Sequence, residues 1–152
     1  MLKLKKSLGQ NFLIDKNVIN KIISLDNLHN QNILEIGPGS GNLTKFIMEQ
    51  NPKNLIAIEK DERFAELLKD KYKTNQKFNI INKDILKHDL NRSNLKELIV
   101  FGNLPYNIST QILVRFLSLN KWPPFYKKII FMFQKEVADR ILAKSNTKNY
   151  GR

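Results

Sequence analysis

The sequence predicts an α/β domain: a doubly wound, mostly parallel sheet with helices on both faces. Two observations carry this. Short apolar runs rich in Ile, Val and Phe alternate with stretches whose apolar residues recur at helical spacing, and near-continuous apolar strands of this kind are buried on both sides. A glycine-rich turn, Gly37-Pro38-Gly39-Ser40-Gly41, leads straight from the first such strand into a helix. Right-handed crossovers then join the parallel strands.

Asp15 is placed to cap a first helix carrying Val18, Ile19, Ile22 and Ile23 on one face. After a polar stretch from Asn27 to Gln31, Ile33-Leu34-Glu35-Ile36 reads as a buried strand. The glycine turn follows it, and then Leu43, Phe46 and Ile47 at helical spacing, until Asn51-Pro52 breaks the helix. Leu55 to Ile58 is a second strand ending at Glu59, and Asp61 can cap a helix with Phe64, Leu67 and Leu68 inward. Phe78 to Ile81 is a third strand, with Asp84 just beyond. Leu98 to Phe101 is a fourth, closed by Gly102-Asn103-Leu104-Pro105-Tyr106, after which Ser109 can cap a helix bearing Ile112, Leu113, Phe116 and Leu117. Trp122-Pro123-Pro124 ends that helix. Ile129 to Phe133 is a fifth strand, and Val137, Ala138, Ile141 and Leu142 mark a last helix.

Composition narrows the function classes. With 152 residues the chain is one domain's worth and can bury a core without staples. The absence of Cys rules out a disulfide framework, and the two His, His29 and His88, stand too far apart for a common zinc site, so no metal is expected. No stretch approaches the roughly 20 apolar residues of a membrane span. The Lys-rich start is followed by Ser7-Leu8-Gly9-Gln10, not by an apolar signal core, so the expected compartment is the cytoplasm with no membrane partner. Lys and Arg exceed Asp and Glu by 26 to 14, a net charge of +12 that suits a polyanion. Yet the 21 Lys, 5 Arg and 19 Asn are also what an A-rich coding sequence gives any protein, so charge alone leaves both readings open.

In doubly wound sheets, ligands sit beyond the carboxyl ends of the strands. Glu35, the glycine turn, Glu59, Asp84 and residues 103–106 all fall at such ends and are expected to share one rim. Glycines 37, 39 and 41 let the backbone approach a ligand, and the helix behind them presents unpaired N–H groups. A dinucleotide fingerprint wants a third Gly at position 42, where this chain has Asn, so the turn is not the pyrophosphate-binding form. Alone it is equally a tight connection. Glu59, ending the second strand, can accept hydrogen bonds from both hydroxyls of a ribose, or be a solvated strand-end acid. Asp84 can accept from an exocyclic adenine amine with Ile85 beside the ring, though in isolation it is more simply a turn or cap aspartate.

The segment Asn103-Leu104-Pro105-Tyr106 suits a definite chemistry. An adenine's exocyclic amine is a poor nucleophile because its lone pair is delocalised into the ring. The Asn103 side-chain oxygen and the Leu104 carbonyl can accept its two N–H bonds and turn the lone pair towards an electrophile, an effect felt mainly in the transition state. Pro105 stiffens the turn. Tyr106 offers a face on which a base can stack.

Together these residues resemble the small-subunit ribosomal RNA adenine N6-dimethyltransferase family, the KsgA type. The resemblance runs through Ser7-Leu8-Gly9-Gln10-Asn11-Phe12-Leu13, Glu35 to Thr44, Glu59-Lys60, Asp84-Ile85, Gly102 to Thr110 and Gln134-Lys135-Glu136-Val137-Ala138. It implies a Rossmann-like class I methyltransferase fold and S-adenosylmethionine as cofactor. The implied cofactor residues are Gln10, Asn11, Leu13, Gly37, Gly39, Gly41, Glu59, Lys60, Asp84, Ile85 and Asn103, with Asn103 to Tyr106 catalytic. The implied substrate is a pair of adjacent adenosines in a hairpin loop near the 3′ end of 16S rRNA, methylated in the immature 30S subunit. Lys3, Lys5 and Lys6 are candidate phosphate contacts or a solvated terminus.

The family's catalytic domain runs on into further strands and a small helical RNA-binding domain. Residues 1–152 are therefore expected to be its cofactor-binding catalytic part, incomplete at the C-terminus, with the fifth strand an uncovered apolar edge. The macrolide-resistance 23S rRNA adenine methyltransferases share these motifs and are the nearest rival. A non-catalytic ribosome-assembly fragment that binds RNA is a second. A nicotinamide dehydrogenase is disfavoured by Asn42 and by the lack of a convincing catalytic acid or base.

Overall fold

The computed structural model describes residues 13–90 and 96–150. Its elements run α1 (Lys16–Ile23), β1 (Asn32–Ile36), α2 (Asn42–Glu49), β2 (Asn54–Glu59), α3 (Glu62–Lys71), β3 (Phe78–Asn82), β4 (Leu98–Asn103), α4 (Ser109–Leu117), β5 (Tyr126–Met132) and α5 (Lys135–Ile141). Among the described residues the five strands form one parallel sheet in the order β3-β2-β1-β4-β5. The chain steps outward from β1 to β3, then returns to the other side of β1. That reversal puts a topological switch point between the carboxyl ends of β1 and β4. Ile36 is in register with Gly102 there, so the glycine turn and Asn103 emerge side by side.

Both faces are covered, because side chains alternate across a strand. On one face Ile33, Leu55, Ile99 and Phe101 pack with Ile19 and Ile22 of α1 and Leu43 and Ile47 of α2. On the other, Leu34, Ile36, Ile58 and Val100 pack with Ile112 and Phe116 of α4 and with Ile85 and Leu90. Asp15 caps α1 by accepting from the N–H groups of Asn17 and Val18, and Asp61 caps α3 by accepting from that of Arg63. Gly41 is the left-handed N-cap of α2 at φ 80°, and an added Cβ would run into the Leu68 side chain. A side chain there needs both the left-handed backbone and a shift of the buried Leu68 methyl of α3.

Several details differ from the expected pattern. Val18, Leu67 and Leu117, counted as inward, are 41%, 44% and 65% exposed. Each flanks the buried stripe of its helix, and a helix against a sheet buries a narrower arc than the pattern suggests. Ser109 does not cap α4. Ile108 holds the N-cap position, while Ser109 is the first helical residue, buried, and donates its hydroxyl to the Tyr106 carbonyl at 3.3 Å. β5 begins at Tyr126, not Ile129, and ends at Met132. It is an edge strand, but exposed Lys127 and Lys128 make its first half charged, not apolar. α5 buries no residue, and Ile141 and Leu142 are exposed.

Candidate active site

A cleft opens at the switch point. Its walls come from the end of β1 and the glycine turn (Glu35 to Ser40), from α2 (Asn42, Leu43), from β2 (Ile58 to Lys60), from the segment after β3 (Lys83 to Ile85) and from β4 and its turn (Asn103, Pro105, Asn107, Ile108). Leu13 closes one side. The rim expected from strand ends is thus a single concave surface.

Glu59 organises one wall. Its carboxylate is 6% exposed; Oε2 accepts from the Gly39 N–H at 3.0 Å and Oε1 from the Asp61 N–H at 2.8 Å. Burial raises its pKa, while the backbone N–H groups of Asp61, Gly39 and Lys60 oppose the rise. An ionised carboxylate offers about four lone-pair sites, so with three backbone N–H groups beside it Glu59 can still accept from a ligand. The strand end is pinned from the far side: Asn82 donates to the Glu59 carbonyl at 2.9 Å, and so does the Lys83 N–H at 3.0 Å.

The glycine turn is held by Gly37 donating to the Ile58 carbonyl at 2.9 Å. Gly37 has φ +65°, and a Cβ there would meet no atom within 4 Å. The backbone conformation, not crowding within the protein, calls for glycine, and the space beside it is open. Asn42, the residue that argues against a dinucleotide turn, acts as a tether. Its side-chain amide donates to the Leu13 carbonyl at 2.9 Å and so ties the segment before α1 to the start of α2.

Glu35 is buried beneath the turn at 2% exposure. Burial pushes its carboxyl up to about 8; neighbouring Thr44 opposes the rise and Glu59 adds to it. Among the described residues neither Glu35 Oε2 nor Thr44 Oγ1 has a hydrogen-bond partner of acceptable geometry. At pH 7 Glu35 is therefore mostly neutral, sparing the cleft a second negative charge beside Glu59. Opposite, Lys60 pairs with Asp84 at 2.8 Å, and the ammonium holds that carboxyl below its usual range. Asp84 Oδ1 also accepts from the Leu86 N–H at 3.0 Å. The turn reading of Asp84 and its place in the cleft wall are both present in the structure.

Of the sequence-selected residues, Leu13, Gly37, Gly39, Glu59, Lys60, Asp84, Ile85, Asn103 and Pro105 line the cleft. Gly41, Leu104 and Tyr106 do not: Gly41 packs against Leu68, Leu104 is buried, and Tyr106 is half exposed between two lining residues, Pro105 and Asn107. Gln10 and Asn11 lie outside the described residues, as do Lys3, Lys5 and Lys6. The reading of the sequence passed over Asn82 and the tether made by Asn42. Their only signal was a polar residue at a strand end and one at a helix start.

The donor set fits a nucleoside-bearing cofactor. A buried carboxylate with unused lone pairs stands beside a glycine turn that leaves open space, with apolar Ile36, Ile58 and Ile85 flanking it. Among the described residues no group of three or more His, Cys, Asp and Glu is placed to hold a metal ion, and no helix is long and apolar enough to cross a membrane.

Comparison with known proteins decides the family. A sequence model described as Ribosomal RNA adenine dimethylase matches residues 1–152. The chain belongs to the ribosomal RNA adenine dimethylase family. The Ribosomal RNA small subunit methyltransferase A of Pelagibacter ubique is 52% identical over 99% of this chain and 57% of its own length. The crystal structure of a dimethyladenosine transferase from Plasmodium falciparum superposes with TM-score 0.78 at 29% identity, covering 92% of this chain and 49% of that one. That of the 23S rRNA methyltransferase ErmE gives 0.73 at 26% identity, covering 93% and 53%. Family and fold are therefore those expected from the motifs. The chain spans about half the length of the relatives it matches.

Proposed function

We propose that this chain is the S-adenosylmethionine-binding catalytic part of a methyltransferase acting on the N6 amines of two adjacent adenosines near the 3′ end of 16S rRNA, in the immature 30S subunit and in the cytoplasm. The observation that carries this reading is that the Glu59-anchored glycine turn meets Asn103, ending β4, and Pro105 of the turn after it in one cleft. The choice of 16S over 23S rRNA is supported by 52% identity to a small-subunit enzyme against 26% to a 23S enzyme.

S-adenosylmethionine, when bound, would supply an electrophilic methyl group on a sulfonium, which is the chemistry this cleft would serve. The chain's residues bind and orient. Glu59 accepts the ribose hydroxyls on its remaining lone pairs, and Asp84 accepts the cofactor's adenine amine with Ile85 against the ring. Leu13 closes one side of the cleft, and Gln10 and Asn11 are assigned to the cofactor by the family resemblance alone. Asn103 Oδ1 and the Leu104 carbonyl accept the two N–H bonds of the target amine and point its lone pair into the cleft, a geometry most valuable in the transition state. Pro105 fixes that turn, where the Ile108 N–H donates to its carbonyl at 3.2 Å. The half-exposed Tyr106 ring faces RNA and stacks on a base. Holding two reactants in line supplies the rate, and the methylated nitrogen releases its proton to water without a protein base.

Radiolabelled methyl transfer to undermethylated 30S subunits tests this, with primer extension mapping the modified positions. Stops at two neighbouring adenosines of 16S rRNA are expected. Incorporation into 23S rRNA instead, or RNA binding with no incorporation, overturns it.

A further inference from the structure

The end of the sheet opposite the cleft has its own pattern. All five strands are parallel, so the residues entering them lie along one edge in strand order. Lys77 stands before β3, Lys53 before β2, Gln31 before β1, Lys96 before β4, and Lys127 at the start of β5. Backbone bonds tie the row together: Lys53 N–H donates to the Gln31 carbonyl at 2.9 Å, and Leu55 N–H to that of Lys77 at 2.8 Å. With neighbouring strands about 4.8 Å apart, it spans roughly 19 Å.

Two of these ammonium groups are held by neutral partners. Lys127 Nζ donates to Gln31 Oε1 at 2.6 Å, reaching across β4, and Lys77 Nζ donates to Asn51 Oδ1. An amide oxygen fixes a lysine's direction without cancelling its charge, so part of the rotamer entropy lost on binding an anion is already lost in the free protein. The carboxylates at this end are Asp26, paired with Lys128 at 2.7 Å, Glu97, and Glu49 and Asp70 in the last turns of α2 and α3. Lys53, Lys77, Lys96, Lys127 and Lys128, with Lys21, Lys69, Lys71 and Arg115 in the last turns of α1, α3 and α4, outnumber these four and leave a positive excess.

We propose that the amino-terminal edge of the sheet is a second RNA-docking surface, with Lys53, Lys77 and Lys127 contacting backbone phosphates of ribosomal RNA away from the target adenosines. The proposal rests on the functional reading above for its partner. An acidic protein fits less well, since a row of single, evenly spaced cations matches a periodic phosphate chain. The strands separate this edge from the cleft by their own length, so it meets a different part of a large folded RNA from the part that delivers the base.

The experiment compares two triple variants that lose the same charge. One is Lys53→Gln/Lys77→Gln/Lys127→Gln; the other, Lys16→Gln/Lys45→Gln/Lys135→Gln, removes exposed lysines from the first turns of α1 and α5 and from the middle of α2. Binding to an unmethylated 16S rRNA transcript is measured by filter retention across a salt series. Each phosphate contact contributes about 0.7–0.9 to the slope of log K against log salt, so the edge variant is expected to lose about 2 from the slope and about a hundredfold in affinity near 0.1 M salt, the other variant little. Equal losses in both variants, or a wild-type slope in the edge variant, overturn the proposal. So does retention of anionic phosphatidylserine vesicles that the transcript fails to displace. S-adenosylmethionine binding by the wild-type chain reports separately on the functional reading. A chain that shows the edge effect yet binds no cofactor contradicts that reading alone, and one that binds cofactor without the edge effect contradicts only the docking surface.

Discussion

At the carboxyl ends of β1 and β2, and just beyond β3, stand Glu35, Glu59 and Asp84; at the amino ends of the same strands stand Gln31, Lys53 and Lys77. The polarity of the fold accounts for the contrast. Helices in a parallel α/β layer run opposite to the strands, so their N-termini, carrying partial positive charge, gather where strands end. Acids there find backbone N–H groups, as Glu59 finds Gly39 and Asp61. The other end receives helix C-termini, and Lys21, Lys69, Lys71 and Arg115 occupy the last turns of α1, α3 and α4. The concave end builds a site from buried, directed groups, whereas the flat end presents charge on exposed ones. Substitutions at the two ends should therefore fail differently, by lost chemistry at the first and by altered salt dependence at the second.

The largest expected effect belongs to the concave end. Asn103→Ala removes one of the two acceptors assigned to the target amine. Methyl transfer to 30S subunits is expected to fall about a thousandfold, at the upper end of what one transition-state hydrogen-bonding group contributes. Cofactor affinity, read by equilibrium dialysis, should change far less. Wild-type turnover would remove the lone-pair argument and leave the cleft as a binding site only.

Glu35→Gln tests whether burial sets the electrostatics of that end. The carboxyl's ordinary value is 4.5, and in the fold it is about 8. Between those values the folded chain keeps a proton that the unfolded chain has released, so this group's contribution to stability falls as pH rises. The limiting slope is about 1.4 kcal/mol per pH unit. Urea unfolding at pH 5.5 and 7.5 should show wild type losing about 2–3 kcal/mol over that interval relative to the Gln variant. Glu59, also raised, is present in both proteins, and because its charge acts on Glu35 the difference reads the coupled pair. Parallel pH profiles would mean that Glu35 is ionised in the fold.

The sequence pattern made the sheet legible because buried parallel strands are nearly all apolar, and it placed the switch-point residues because strand ends are marked by Glu59, Asp84 and Gly102-Asn103. It misled where a choice depends on neighbours in space. Val18, Leu67 and Leu117 lie at the margins of helical stripes, and only the angle at which a helix meets the sheet decides their exposure. Ser109 has a cap residue's chemistry, but the turn from Pro105 to Ile108 starts the helix one residue early and buries it. Glu35 reads as one more rim acid; its protonation follows from 2% exposure, which no spacing reveals. Gln31 and Asn51 gave no signal, because an amide that orients a lysine from across the sheet has no local signature.

A smaller effect is expected at Glu59. Glu59→Gln keeps the shape but replaces one acceptor oxygen with a donor that faces the N–H of either Gly39 or Asp61. S-adenosylmethionine affinity, measured by calorimetry, should weaken by about 1–3 kcal/mol, as for a buried polar group left unpaired. Unchanged affinity would assign Glu59 to holding the glycine turn and nothing more.

The smallest effect separates the cleft's wall from its floor. Asn42→Ala removes the bond from the Asn42 side chain to the Leu13 carbonyl but leaves Gly41, α2 and the Glu59 anchor in place. One part-buried hydrogen bond to a neutral acceptor contributes about 1 kcal/mol. If Leu13 closes the cleft over the cofactor, the loss appears as roughly fivefold weaker S-adenosylmethionine binding, about 1 kcal/mol, with a smaller change in unfolding free energy. If the tether serves only the fold, the order reverses: stability drops by that amount while affinity holds. The amino-terminal edge, joined to neither group, should keep its salt slope in both cases, because a change at the concave end reaches the lysine row only by unfolding the sheet between them.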